Sequence, residues 1–76
     1  GTIMAVDRLI VMANQIGSFF VTQPRANAPE AIANHLRKFW DPRMRNEIQA
    51  YEQNGGAGLD PSVREAVRLL ATPPGK

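Results

Sequence analysis

The chain contains no cysteine, one histidine, five aromatic rings other than histidine, and no apolar run near the length of a membrane span. Without thiols there are no disulfide staples, no thiolate metal sites and no cysteine nucleophile. That composition fits a reducing compartment, and the cytoplasm is the default expectation. A single histidine lacks a second imidazole at i+3 or i+4, so it offers no obvious metal-ligand set. A hydrolase triad would have to centre on His35 with Ser18 or Ser62, and nothing in the spacing supports it. Crossing a bilayer takes roughly 20 apolar residues, and a signal peptide needs a charged, an apolar and a small-residue region in order; neither pattern occurs. Gly55-Gly56-Ala57-Gly58 follows helical sequence instead of a strand and leads to no P-loop lysine, so it reads as a helix terminator with a loop. The carboxylates fall at caps or on polar faces, which gives no pair a reason to be buried with separated pKa values. Chemistry carried by this chain alone is not expected.

What is present is a short helical domain. Seventy-six residues allow one domain, and a single core of this size supplies roughly 3–5 kcal/mol of net stability, so dependence on a partner is in keeping with its length. From Val6 to Val21, projection at 100° per residue gathers Val6, Leu9, Ile10, Met12, Ala13, Ile16, Phe19 and Phe20 on a broad apolar arc that needs cover on more than one side. Gly17 sits inside that arc, either as a point of close helix approach or as a tolerated weak spot. Asn27, with Glu30 three residues on, resembles a capping box after the turn at Gln23 to Ala26. In the helix that follows, Ala28, Ile32, Ala33, Leu36, Phe39 and Trp40 share the inner face. Asp41-Pro42 stops it and caps the next helix, whose narrow stripe is Met44, Ile48 and Tyr51, with Arg43 and Glu47 at pairing distance. Asn54-Gly55-Gly56 signals a left-handed C-cap, and Asp60-Pro61 starts a final helix with Val63, Ala66, Val67 and Leu70 inward. The expected architecture is an all-α bundle of four short helices over about 6–22, 28–40, 42–53 and 61–71, in one domain over 4–72. Residues 1–3 read as a remnant of cloning before Met4, and 73–76 as a tail.

Positive charge is concentrated in one place. The segment 35–45 carries Arg37, Lys38, Arg43 and Arg45 against Asp41, a formal +3, while the whole chain is +2. In one reading these cations are the solvated faces of two helices and Trp40 is core. In the other, a sharp Asp-Pro corner holds them near one tryptophan as a contact surface, with His35 as an added hydrogen-bonding group; arginine and tryptophan are the residues enriched in binding hot spots. Arg64 and Arg68 share the outer face of the last helix and form a weaker second candidate. Like charges at that spacing cost a few tenths of a kcal/mol unless an acid lies opposite.

Three blocks of this sequence resemble the delta subunit of NAD-dependent, molybdenum-containing formate dehydrogenases. They are Met12-Ala13-Asn14-Gln15-Ile16-Gly17-Ser18-Phe19-Phe20, then His35-Leu36-Arg37-Lys38-Phe39-Trp40-Asp41-Pro42-Arg43-Met44-Arg45, and finally Gly55-Gly56-Ala57-Gly58-Leu59-Asp60-Pro61 leading into Val63-Arg64-Glu65-Ala66-Val67. The central block is the specific one. The resemblance implies a non-catalytic accessory subunit of a cytoplasmic complex that oxidises formate to carbon dioxide and reduces NAD. The molybdenum cofactor, iron-sulfur clusters and flavin would reside in the partner subunits, with no cofactor in this chain. The expected partner is the molybdenum-binding catalytic subunit, contacted through His35, Arg37, Lys38, Trp40, Asp41, Pro42, Arg43 and Arg45, with Trp40 as anchor and the arginines pairing with carboxylates. Two alternatives stand beside it. One is a transient maturation chaperone for the cofactor or the apo-subunit. The other is a small basic nucleic-acid-binding module, disfavoured because Glu47 and Glu52 share the face of the third helix. The first helix's broad arc also allows a homodimer of the isolated chain.

Overall fold

A computed structural model of the chain describes residues 6–23 and 27–71. Among these there are four α-helices and no strand: α1 (Val6–Val21), α2 (Ala28–Phe39), α3 (Pro42–Gln53) and α4 (Pro61–Leu70). The all-α expectation holds, and the helix ends agree with the sequence reading to within one residue. The expectations for residues 1–3, the start at Met4, the turn at 24–26, the domain limits at 4 and 72, and the tail 73–76 lie outside the described residues.

Capping explains where the helices begin. Asn27 is extended, and its Oδ1 accepts a hydrogen bond from the Glu30 N–H at 3.3 Å. The Asp41 carboxylate accepts from the Met44 N–H at 2.9 Å, and Pro42 follows in the first turn, where its missing N–H is no loss. Asp60 departs from this pattern. It is extended and precedes Pro61, but its carboxylate makes no capping bond. At the far end of α3 the chain closes a Schellman turn, with the Gly56 N–H donating to Tyr51 O and the Gly55 N–H to Glu52 O, both at 3.1 Å. Gly55 and Gly56 have φ of 123° and 63°, values that side chains with a Cβ rarely adopt.

The core is drawn from every helix: Leu9 and Ala13 of α1, Ile32 and Leu36 of α2, Ile48 of α3, and Val63 and Val67 of α4. α1 packs against the other three helices, as its wide apolar arc requires, and α2 and α4 form the most extensive pair. Gly17 is a point of close approach. A Cβ built there would lie 2.5 Å from Val63 Cγ2. Because Val63 is itself fully buried and β-branched, it has little room to turn aside.

Three expectations are corrected. Phe19 and Phe39 were placed on inner faces, but they are 60% and 69% exposed. Projection assigns a side of a helix, yet it cannot say whether a neighbour reaches the last turn, and both rings stand near helix ends. The Arg43–Glu47 pairing does not form; the ion pairs among the described residues converge on Glu52 of α3.

Candidate protein interface

The segment 35–45 makes the corner between α2 and α3. Trp40 (φ −92°, ψ 138°) and Asp41 (φ −74°, ψ 166°) are both extended, the conformation favoured immediately before proline, and the chain turns over these two residues. The turn carries the indole inward, and Trp40 is only 5% exposed, within the cluster that includes Leu36 and Ile48. A docking anchor must be offered to its partner, so Trp40 acts in this fold as core. Its neighbour Phe39 is the large apolar side chain presented outward.

The remaining residues of the segment divide by what holds them. Asp41 caps α3 and Pro42 opens it. The Arg37 guanidinium donates through Nη2 to Leu69 O at 2.6 Å and through Nη1 to Asn34 Oδ1 at 3.0 Å, tying α2 to the C-terminal end of α4, where the helix dipole favours a cation. Lys38 and Arg43 are exposed and make no hydrogen bond or ion pair among the described residues. Arg45 is half-buried, with Nε enclosed and unpartnered. His35 is half-buried between two rings, its centroid 5.9 Å from Phe20 and 4.7 Å from Phe39. With Phe19 edge-on to Phe20 at 5.1 Å, four rings run in a row across the ends of α1 and α2. Beside them lies an open groove of about 510 Å³ bounded by Phe20, Ala31, His35, Phe39 and the side chains of Asn34, Arg37 and Lys38. Among the described residues the charged ones bounding it, Arg37 and Lys38, are both cations. By helical projection Phe19, Phe20 and Phe39 all fall on apolar faces; the signal that sets Phe39 apart is the Asp-Pro stop, which leaves it in a final turn with no following helical residue to cover it.

The second candidate contact, Arg64 and Arg68, is turned to internal use. Glu52, buried on α3, accepts from Arg68 Nε at 2.7 Å, and Arg64 Nη2 lies 3.9 Å from the same oxygen. This is the opposing acid that the i,i+4 arginine pair needed. Next to it the glycine-rich loop is clamped from two sides. Tyr51 Oη donates to Ala57 O at 2.6 Å, while Asn14 of α1 donates through Nδ2 to Gly58 O at 2.9 Å and accepts at Oδ1 from the Asp60 N–H at 3.0 Å. That last bond takes up an N–H at the start of α4. Neither Glu52 nor Asn14 was singled out from the sequence, since both sit among polar residues of amphipathic helices.

Among the described residues no group of three or more His, Cys, Asp or Glu side chains is placed to hold a metal ion, and no helix is long and apolar enough to cross a membrane. No curated protein and no solved structure matches the chain. A family model does match, over residues 8–67, described as the NADH-dependent formate dehydrogenase delta subunit FdsD. Its span takes in the aromatic row, the corner, the clamped loop and most of all four helices. Two of the three blocks that carried the resemblance meet in space through Asn14 and the 58–60 backbone. By its family and by the continuity of that match through the whole bundle, the chain belongs to the FdsD family, the delta subunits of NADH-dependent formate dehydrogenase.

Proposed function

We propose that this chain is a non-catalytic accessory subunit that supports assembly, stability or activity of a cytoplasmic NAD-dependent formate dehydrogenase, docking on the molybdenum-binding catalytic subunit. The observation that carries the reading is the family match over residues 8–67. The geometry agrees with a role in contact. The one histidine is packed against phenylalanine rings, and Glu52, the buried carboxylate, is engaged by arginine. Exposed Phe39 and Lys38 offer a mixed apolar and cationic surface instead. In this reading the molybdenum cofactor, iron-sulfur clusters and flavin belong to the partner subunits, and the present chain holds none of them.

The test is a pull-down of the tagged chain from its native bacterium grown with molybdate and formate, with mass spectrometry and a formate-dependent NAD reduction assay on the eluate. Near-stoichiometric recovery of active multisubunit dehydrogenase is the expected outcome. Recovery of cofactor-free catalytic subunit alone would replace the accessory subunit with a maturation chaperone. Recovery of no dehydrogenase subunit would end the proposal.

A further inference from the structure

Outside the core, the cations of α4 are engaged by Glu52 and the 55–60 loop is fixed by Tyr51 and Asn14. The row of rings at the ends of α1 and α2 has no such partner layer. A single exposed phenylalanine is ordinary on a protein surface, but Phe19 and Phe39, at 60% and 69% exposure, flank two further rings in one continuous strip.

We propose that the groove beside this strip receives an apolar side chain borne on an acidic segment of a dehydrogenase partner subunit, with Phe39 packing against the inserted group and Lys38 pairing with a neighbouring carboxylate. This rests on the accessory-subunit reading. The walls fix the first half of the specificity, because Phe20, Ala31, His35 and Phe39 supply apolar and aromatic surface. The rim fixes the second: among the described residues Lys38 and Arg37 are its charged members and no carboxylate lines the groove. Arg37 is held in place by Leu69 O and Asn34 Oδ1, so Lys38 is the rim cation left to meet an incoming acid. An occupant bearing both an apolar anchor and negative charge is therefore complementary, and like-charge juxtaposition rejects a basic one. The same charges argue against a second copy of this chain. A two-fold dimer through the strip brings each copy's Lys38 and Arg37 toward the equivalent patch of the other.

The test uses the full chain co-expressed with the dehydrogenase subunits, with Phe39→p-benzoylphenylalanine in one preparation and Arg43→p-benzoylphenylalanine in another. Both positions are exposed, so the fold is retained. After irradiation of the purified complex, position 39 is expected to crosslink to one segment of another subunit in which an aliphatic or aromatic residue stands among Asp or Glu. Lys38→Glu should lower recovery of the complex about tenfold, and reversal of the crosslinked acid to lysine should restore it. An intact complex in which position 39 is silent, captures a second copy of this chain or captures a neutral or basic segment overturns the inference while leaving the accessory subunit standing. Failure of the unsubstituted chain to purify with the dehydrogenase overturns both.

Discussion

The junction of α3, α4 and the 55–60 loop is made from arginine, an aromatic ring and short polar side chains, and so is the face across the ends of α1 and α2. At the junction most polar groups are answered from within the chain: Glu52 takes Arg68 and Arg64 Nη2, Tyr51 takes Ala57 O, and Asn14 takes Gly58 O and the Asp60 N–H, while Arg64 Nε is enclosed without a hydrogen-bond partner. At the other face Lys38 has no acid opposite among the described residues, and Phe19 and Phe39 are exposed. One buried carboxylate accounts for much of the difference. Placed between α3 and α4, Glu52 turns an i,i+4 arginine pair from a mutually repelling surface into a tie between helices. No acid among the described residues lines the aromatic groove, so Lys38 is left exposed on its rim, while Arg37 is tied to α4 through Leu69 O.

Four substitutions press on that contrast. Trp40→Ala should have the largest effect, because emptying a buried indole site costs about 3–5 kcal/mol, comparable with the roughly 3–5 kcal/mol available to a core of this size. The variant is expected to lose its helical circular dichroism at room temperature, and a cooperative, near-wild-type urea transition would contradict the inward placement of Trp40. Glu52→Gln comes next. Hydrogen bonds to charged groups contribute about 1.5–3 kcal/mol, and since Arg68 is largely exposed and free to turn to water, the loss should fall near the lower figure. A urea midpoint unchanged by this substitution would mean that the ion pair contributes nothing to holding α3 against α4. Asn14→Ala removes two hydrogen bonds to the loop at about 0.5–1.5 kcal/mol each, and it should speed hydrogen exchange at the Asp60 amide selectively. Uniform exchange across α4 would show that the clamp is not local. Phe39→Ser is the smallest in stability, within about 0.5 kcal/mol as for other exposed positions, while lowering recovery of the dehydrogenase. Adjacent aromatics with opposite consequences, one for folding and one for assembly, are the sharpest expression of the comparison.

Much of the architecture was legible in the sequence because its punctuation is strong. Asn27, Asp41 and Asp60 each precede a helix with proline in its first turn, and Asn54-Gly55-Gly56 ends α3 through backbone angles that demand glycine. These are local signals, set by residues within one turn of each other. The site was legible only in part. The Asp-Pro signal places the charge-rich segment 35–45 at the corner between α2 and α3, where the structure has it, yet which of Phe39 and Trp40 faces inward depends on the direction in which the chain leaves α2, and the two extended residues before Pro42 decide it. Glu52 looks like any polar-face acid until α4 is laid against it 16 residues later, and Asn14 meets its loop partners 44 and 46 residues away. Long-range complementarity of this kind has no periodicity to read.

The outward pair Phe19 and Phe39 also sets a condition on supply. Under the proposed docking, a copy of this chain made in excess of the dehydrogenase carries an apolar strip that no partner covers, in a domain whose small core leaves little margin against opening. With that docking such copies should be the first that proteases remove, and the chain's half-life in cells is expected to lengthen when the dehydrogenase is co-expressed.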